Sequence, residues 1–129
     1  MLDLNTLEGQ VLIESAFDAQ YARSGHIIFS RDAAVWAVPF DLANLEIIGG
    51  QVPVVLEVET EQRRGAAIYS VSDSGRLIYL RGGAIGSDAG GWSLTKFGRD
   101  GVRSMVDLDS QLYGHLALSP NESEMALTV

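Results

Sequence analysis

Two six-residue stretches repeat one pattern 50 residues apart: Ser24-Gly25-His26-Ile27-Ile28-Phe29 and Ser74-Gly75-Arg76-Leu77-Ile78-Tyr79. Each is a Ser-Gly turn, one polar residue, two aliphatic residues and an aromatic one. A more diverged copy, Ser119-Pro120-Asn121-Glu122-Ser123-Glu124-Met125-Ala126-Leu127, follows 47 residues on when Ser119 is aligned with Ser72. Between these anchors further strand candidates recur in similar order, at residues 34–40 and 91–97, then 52–58 and 102–108. A period of 47–50 residues with four short strands per unit is the pattern of β-propeller blades. An ordinary sandwich is the alternative, since it also places turns at intervals of about 8–12 residues. The matched Ser-Gly turns favour the propeller.

The local patterning agrees with an all-β fold. His26-Ile27-Ile28-Phe29, Val35-Trp36-Ala37-Val38, Val52-Pro53-Val54-Val55-Leu56, Leu77-Ile78-Tyr79-Leu80 and Met125-Ala126-Leu127-Thr128-Val129 are rich in β-branched or aromatic residues and too short for helices. Residues 15–23 place Ala16, Phe17, Ala19 and Ala22 near helical spacing, but Ser24-Gly25 ends any helix within two turns. At 129 residues the chain is one domain with a real core. It has no cysteine, which excludes disulfides, Cys-ligated zinc and a thiol nucleophile. The longest apolar run, residues 33–38, is far short of the roughly 20 residues that span a bilayer, so no membrane partner is expected. Seventeen acidic residues against nine basic ones give a net charge of -8, and no nucleic-acid partner is expected. Leu2-Asp3-Leu4-Asn5 does not read as a leader, which favours a cytoplasmic protein.

Three stretches resemble the TolB-like six-bladed β-propellers, especially those fused to bacterial Ser/Thr protein kinases and regulators. Ala22-Arg23-Ser24-Gly25-His26-Ile27-Ile28-Phe29 resembles the family's turn and second strand. Trp36-Ala37-Val38-Pro39-Phe40-Asp41-Leu42, followed by Leu45-Glu46-Ile47-Ile48-Gly49, resembles its third strand and exit loop. Leu118-Ser119-Pro120-Asn121 resembles the Ser-Pro-Asp-Gly turn between first and second strands, with Glu122 where the glycine is expected. The resemblance covers most of the chain and implies a fold rather than an activity, because the superfamily mixes binding modules with enzymes. It also implies relatives that continue on both sides of this segment.

With blade strands lettered A (innermost) to D (outermost), residues 1–4 are expected as a C strand and 10–15 as a D strand. A full blade then runs over 18–59 and a second over 65–109, and an A-B pair occupies 113–129. That is three blades' worth, and a ring needs about four to eight. Two copies give six. The unpaired edges at either end would otherwise stay open, and open edges invite pairing with another chain. The expected partner is therefore a second copy, each C-terminal A-B pair completing the other's N-terminal C-D pair in a two-fold homodimer. The alternative is a fragment with no selected activity.

Candidate chemistry is sparse. Arg63-Arg64 leads into an innermost strand, where two guanidiniums suit a carboxylate or phosphate, or else offset Glu57, Glu59 and Glu61. Tyr113-Gly114-His115 enters another innermost strand. Arg63, Arg64, Tyr113 and His115 are thus the expected ligand-binding residues at a channel mouth, for a small molecule or protein. His26 reads as a surface residue at a strand edge. One imidazole per chain in the channel is a poor zinc site, and neither metal nor other cofactor is expected. Glu57-Val58-Glu59-Thr60-Glu61 and Asp107-Leu108-Asp109 read as charged outer edges. Ser72, Ser74 and Ser119 read as turn caps, and no Gly-x-Ser-x-Gly elbow is present. The glycine-rich residues 82–91 lack the Lys-Ser/Thr of a phosphate cradle and read as a loop. Trp36 and Trp92 read as packing between blades. The innermost strands Ala66-Ala67-Ile68-Tyr69-Ser70-Val71 and His115-Leu116-Ala117-Leu118 hold no carboxylate, which counts against a metal-dependent, lactonase-like hydrolase. The reading is a non-enzymatic binding or scaffold module.

Overall fold

The β-branched and aromatic runs form strands in a computed structural model, which describes residues 1–61, 65–82, 93–108 and 113–128. Eleven strands and no helix are found among them. The first sheet contains β1 (Phe17–Ala22), β2 (His26–Arg31), β3 (Ala34–Asp41), β4 (Glu46–Ile47) and β5 (Val52–Val55), with β4 and β5 pairing along successive parts of β3. The second sheet has β6 (Tyr69–Val71), β7 (Leu77–Arg81), β8 (Ser93–Phe97) and β9 (Arg103–Val106) in that order. A third holds β10 (Leu116–Leu118) and β11 (Met125–Leu127). Every pairing is antiparallel. The helical spacing at 15–23 comes to nothing because Tyr21 and Ala22 pair across the turn with Ile27 and His26. No helix among the described residues is long and apolar enough to cross a membrane.

The repeat seen in the sequence is also a repeat of side-chain direction, because strand neighbours point to opposite faces. Ile28 and Ile78, 50 positions apart, each pack onward along the chain. Ile28 joins Val35, Ala37, Val55, Leu77, Tyr69 and Tyr79 in a core between the first and second sheets. Ile78 joins Leu80, Leu94, Tyr113 and Leu116 in a core between the second and third, against which Leu118, Met125 and Leu127 also pack. Ile27 and Leu77 face the other way. Leu77 meets the first sheet, whereas Ile27 lies with Phe29, Val38 and Phe40 on a face covered by Leu12, Ile13 and Ala16. At roughly 25 cal/mol per Å² of apolar area removed from water, these cores are the main source of stability.

The three turns between first and second strands are built alike. Gly25, Gly75 and Glu122 donate their N–H to the carbonyls of Ala22, Ser72 and Ser119. All three have positive φ, 80°, 86° and 60°. Glycine takes this conformation freely and other residues at a cost. Ser72 Oγ accepts the Arg76 N–H and Ser119 Oγ the Glu124 N–H, so the third turn holds one additional residue. That extra residue fixes the register of β11. The turns are also linked to one another. Arg23 pairs with Asp73 at 3.2 Å, and Arg76 pairs with Glu122 at 2.5 Å. Glu122 also accepts hydrogen bonds from the hydroxyls of Ser72 and Ser74. These bonds, together with the nearby cations Arg76 and Lys96, hold the Glu122 carboxyl below its ordinary range.

The N-terminal pair differs from the expected strands at 1–4 and 10–15. Residues 1–10 close into a small bend with one bridge, Leu2 opposite Gly9, and the Gln10 N–H donates to the Met1 carbonyl. The Asp3 carboxylate caps it by accepting from the Asn5 and Thr6 N–H groups. The returning arm therefore lies at Glu8 to Gln10, because Asp3 turns the chain early. Residues 12–16 are free to lay Leu12, Ile13 and Ala16 on the first sheet.

Candidate functional site

The strands that open each sheet converge. β1 contributes Asp18, Ala19 and Gln20 to the wall of one open concavity, and residues 66–69 contribute Ala66, Ala67, Ile68 and Tyr69. Gly114, His115 and Leu116 come from the third sheet, and Glu61 closes the rim. Its volume is about 510 Å³. Small residues keep it open, and Asp18, Gln20, Glu61 and His115 give it polar groups of mixed kind. Acceptor oxygens and an imidazole on an apolar wall make a surface able to hydrogen-bond a polar group placed there.

Asp18 sits at an irregularity in β1. The pairing with β2 shifts between Phe17 and Gln20, and Asp18 has φ 49°. A bulge of this kind re-aims side chains. The Asp18 carbonyl accepts a hydrogen bond from the Tyr69 hydroxyl at 2.6 Å, which ties the first strand of one sheet to that of the next. Burial pushes the Tyr69 phenol well above its ordinary range, and the Asp18 charge pushes it further. Tyr69 is thus a fixed donor and not a base at neutral pH.

A second link lies just behind the wall. Ser30, 1% exposed, donates to the Phe17 carbonyl at 3.3 Å and accepts from the Ala67 N–H at 3.2 Å. Ser70 repeats the device one sheet on, accepting from the Leu118 N–H at 3.2 Å.

Of the two described residues expected at a channel mouth, His115 lines this concavity and is exposed. Tyr113 does not. It is 3% exposed and lies in the core between the second and third sheets, because the apolar surfaces of Ile78, Leu80 and Leu94 take its ring out of water. Arg63 and Arg64 lie outside the described residues, although Glu61 beside them is on the rim. Glu57 pairs with Arg81 at 3.3 Å. His26 Nδ1 lies 3.0 Å from the Ser24 carbonyl, a local bond at a strand edge. Trp36 packs on the outer face of the first sheet, with the Arg31 guanidinium 4.9 Å from its ring centre and its indole N–H donating to the Arg31 carbonyl. Trp92 and Asp109 lie outside the described residues.

Glu61, expected on a charged outer edge, instead lies on the rim of the concavity, and Asp18 is missed when carboxylates are sought only on residues 66–71 and 115–118. The same search extended to the first strand of the first repeat finds Asp18. Among the described residues no three His, Asp or Glu side chains converge closely enough to hold a metal ion.

A comparison with protein-family models, with curated proteins and with solved structures finds no match to this chain.

Proposed function

We propose that this chain is half of a TolB-like six-bladed β-propeller, completed by a second copy of itself, and that it serves as a non-enzymatic binding or scaffold module. In this reading the first and second sheets are full blades, and the third is the inner half of a blade whose outer half is the partner's residues 1–10. The observation that carries it is the convergence of β1, β6 and β10 on one concavity, the relation that innermost strands have around a propeller channel. The constant facing of residues 50 apart supports it, since stacked blades bury one face forward and one back. The channel mouth, with Asp18, Gln20, Glu61 and His115 from each copy, is then the binding surface for a small molecule or a protein segment.

The test is the solution mass of this chain by light scattering at micromolar concentration, before and after deletion of residues 125–129. Two chains per particle that become one on deletion support the reading. One chain per particle with a cooperative thermal transition overturns it.

A further inference from the structure

The propeller reading leaves open which surfaces of two copies meet, and two partly open faces answer that question. The first sheet presents Ile27 and Phe40 backward along the chain, with Tyr21 beside them edge-on to Phe40 at 6.2 Å. Val11, Leu12 and Ile13 cover this face only in part. An open, mostly apolar groove of about 560 Å³ remains among them and Tyr21, Ile27 and Phe40. The corresponding face of the second sheet, with Leu77 and Tyr79, is buried against the first. A surface that repeats a buried one but is left open lacks a neighbour.

At the other end, β10 and β11 turn Leu116, Leu118, Met125 and Leu127 toward the second sheet. Alternation sends Ala117 and Ala126 outward, and both are exposed. In the repeat Ala126 stands where Ile28 and Ile78 stand, the position that packs on the following sheet. Two alanines present a flat face with room for aromatic rings. The groove has Ile27 and Phe40 as its nearly buried floor and leaves the Tyr21 ring exposed beside them.

Charge adds a third match. Each adjacent pair of turns in the chain is joined by a base on the earlier turn and an acid on the later: Arg23 with Asp73, Arg76 with Glu122. Glu124 occupies in the third turn the position that Arg76 occupies in the second, as their bonds to Ser119 and Ser72 show, and it is exposed. The turn that would come next is a second copy's residues 22–26, which carries Arg23. The sign is reversed and the complementarity kept.

We infer that, within the proposed ring, the Ala117 and Ala126 face of one copy seats on the Tyr21, Ile27 and Phe40 groove of the other, with Glu124 of the first beside Arg23 of the second. This rests on the propeller reading. Because Ala126 is exposed within one chain, changing it spares the fold of that chain, and a reversal of exposed charges shifts its stability little.

The experiment is sedimentation equilibrium on the wild type, Ala126→Arg, Ala126→Ser, Glu124→Arg, Arg23→Glu and the double variant Arg23→Glu/Glu124→Arg, each checked by circular dichroism. The inference expects a wild-type dimer whose association is weakened about 30-fold or more by Ala126→Arg and little changed by Ala126→Ser. It expects about a fivefold loss from either single charge reversal, with recovery in the double variant. A monomeric wild type overturns the ring and this interface together. A dimeric wild type that Ala126→Arg leaves intact overturns this interface alone, and failure of the double variant to recover overturns the Glu124–Arg23 pairing.

Discussion

Replacing Ser30 by alanine isolates one hydrogen bond that joins two sheets. The Ser30 hydroxyl is the acceptor for the Ala67 N–H at 3.2 Å, and Ala67 is 5% exposed. Alanine keeps the strand and nearly the volume but leaves that N–H without an acceptor where water does not reach. An unsatisfied buried donor costs about 1–3 kcal/mol. The bond that Ser30 donates to Phe17 is long at 3.3 Å, so its loss adds little. For a chain of this size such a loss lowers Tm by roughly 3–10 °C. The assay is urea unfolding followed by tryptophan fluorescence, at one protein concentration so that any association is held constant. The midpoint should fall with the slope unchanged, since the surface exposed on unfolding is the same. Ser70→Ala is the internal comparison. It removes the acceptor of the Leu118 N–H, but Leu118 is half-buried, so water replaces part of the loss and the cost is smaller, about 0.5–1.5 kcal/mol. A Ser30→Ala protein within about 0.3 kcal/mol of wild type, or a larger effect from Ser70→Ala, refutes the assignment of this bond as a structural link.

Tyr69→Phe removes the 2.6 Å bond to the Asp18 carbonyl and should cost about 0.5–1.5 kcal/mol by the same unfolding assay. Ala33→Gly should stabilise. Asp32 and Ala33 form a two-residue hairpin turn with φ 53° and 55°, a conformation that favours glycine, and relief of the strain outweighs the added freedom of the unfolded chain by up to about 1 kcal/mol in thermal melts. Glu122→Gln should flatten the acid limb of stability. The folded carboxyl lies below its ordinary 4.5, so its contribution is complete above that value and is lost as pH falls through the lower folded value. Melting temperatures from pH 6 to pH 2.5 should converge for the two proteins at the acid end and separate above about pH 4.5.

The strands were legible wherever β-branched or aromatic residues clustered between turn signals, as at Ile27-Ile28-Phe29 and Leu77-Ile78-Tyr79. The matched Ser-Gly turns carried side-chain direction as well, since each following strand starts at the same place relative to its turn. Three features were less legible. Ala33 belongs to an apolar run by composition but to a turn by conformation, because no glycine or asparagine marks that turn. Tyr113 follows a loop and precedes Gly114, a context that suggests exposure, and only the apolar side chains across from it decide its burial. Glu122 stands in a glycine's place through contacts made 46 to 50 residues away, which no local pattern records. The repeat places the strands that open each sheet in corresponding positions, and β1, β6 and β10 line one concavity. Its acidic groups were not legible, because Asp18 acquires its place from a bulge.

Glu122 also says something about the order in which this chain can assemble. A hairpin whose turn demands a left-handed glutamate gains little from forming alone, since the strain there is offset by Ser72, Ser74 and Arg76 of a different sheet. This hairpin therefore needs the preceding sheet as its template. A chain leaving the ribosome meets that requirement in the right sequence, each finished layer waiting for the next one to dock.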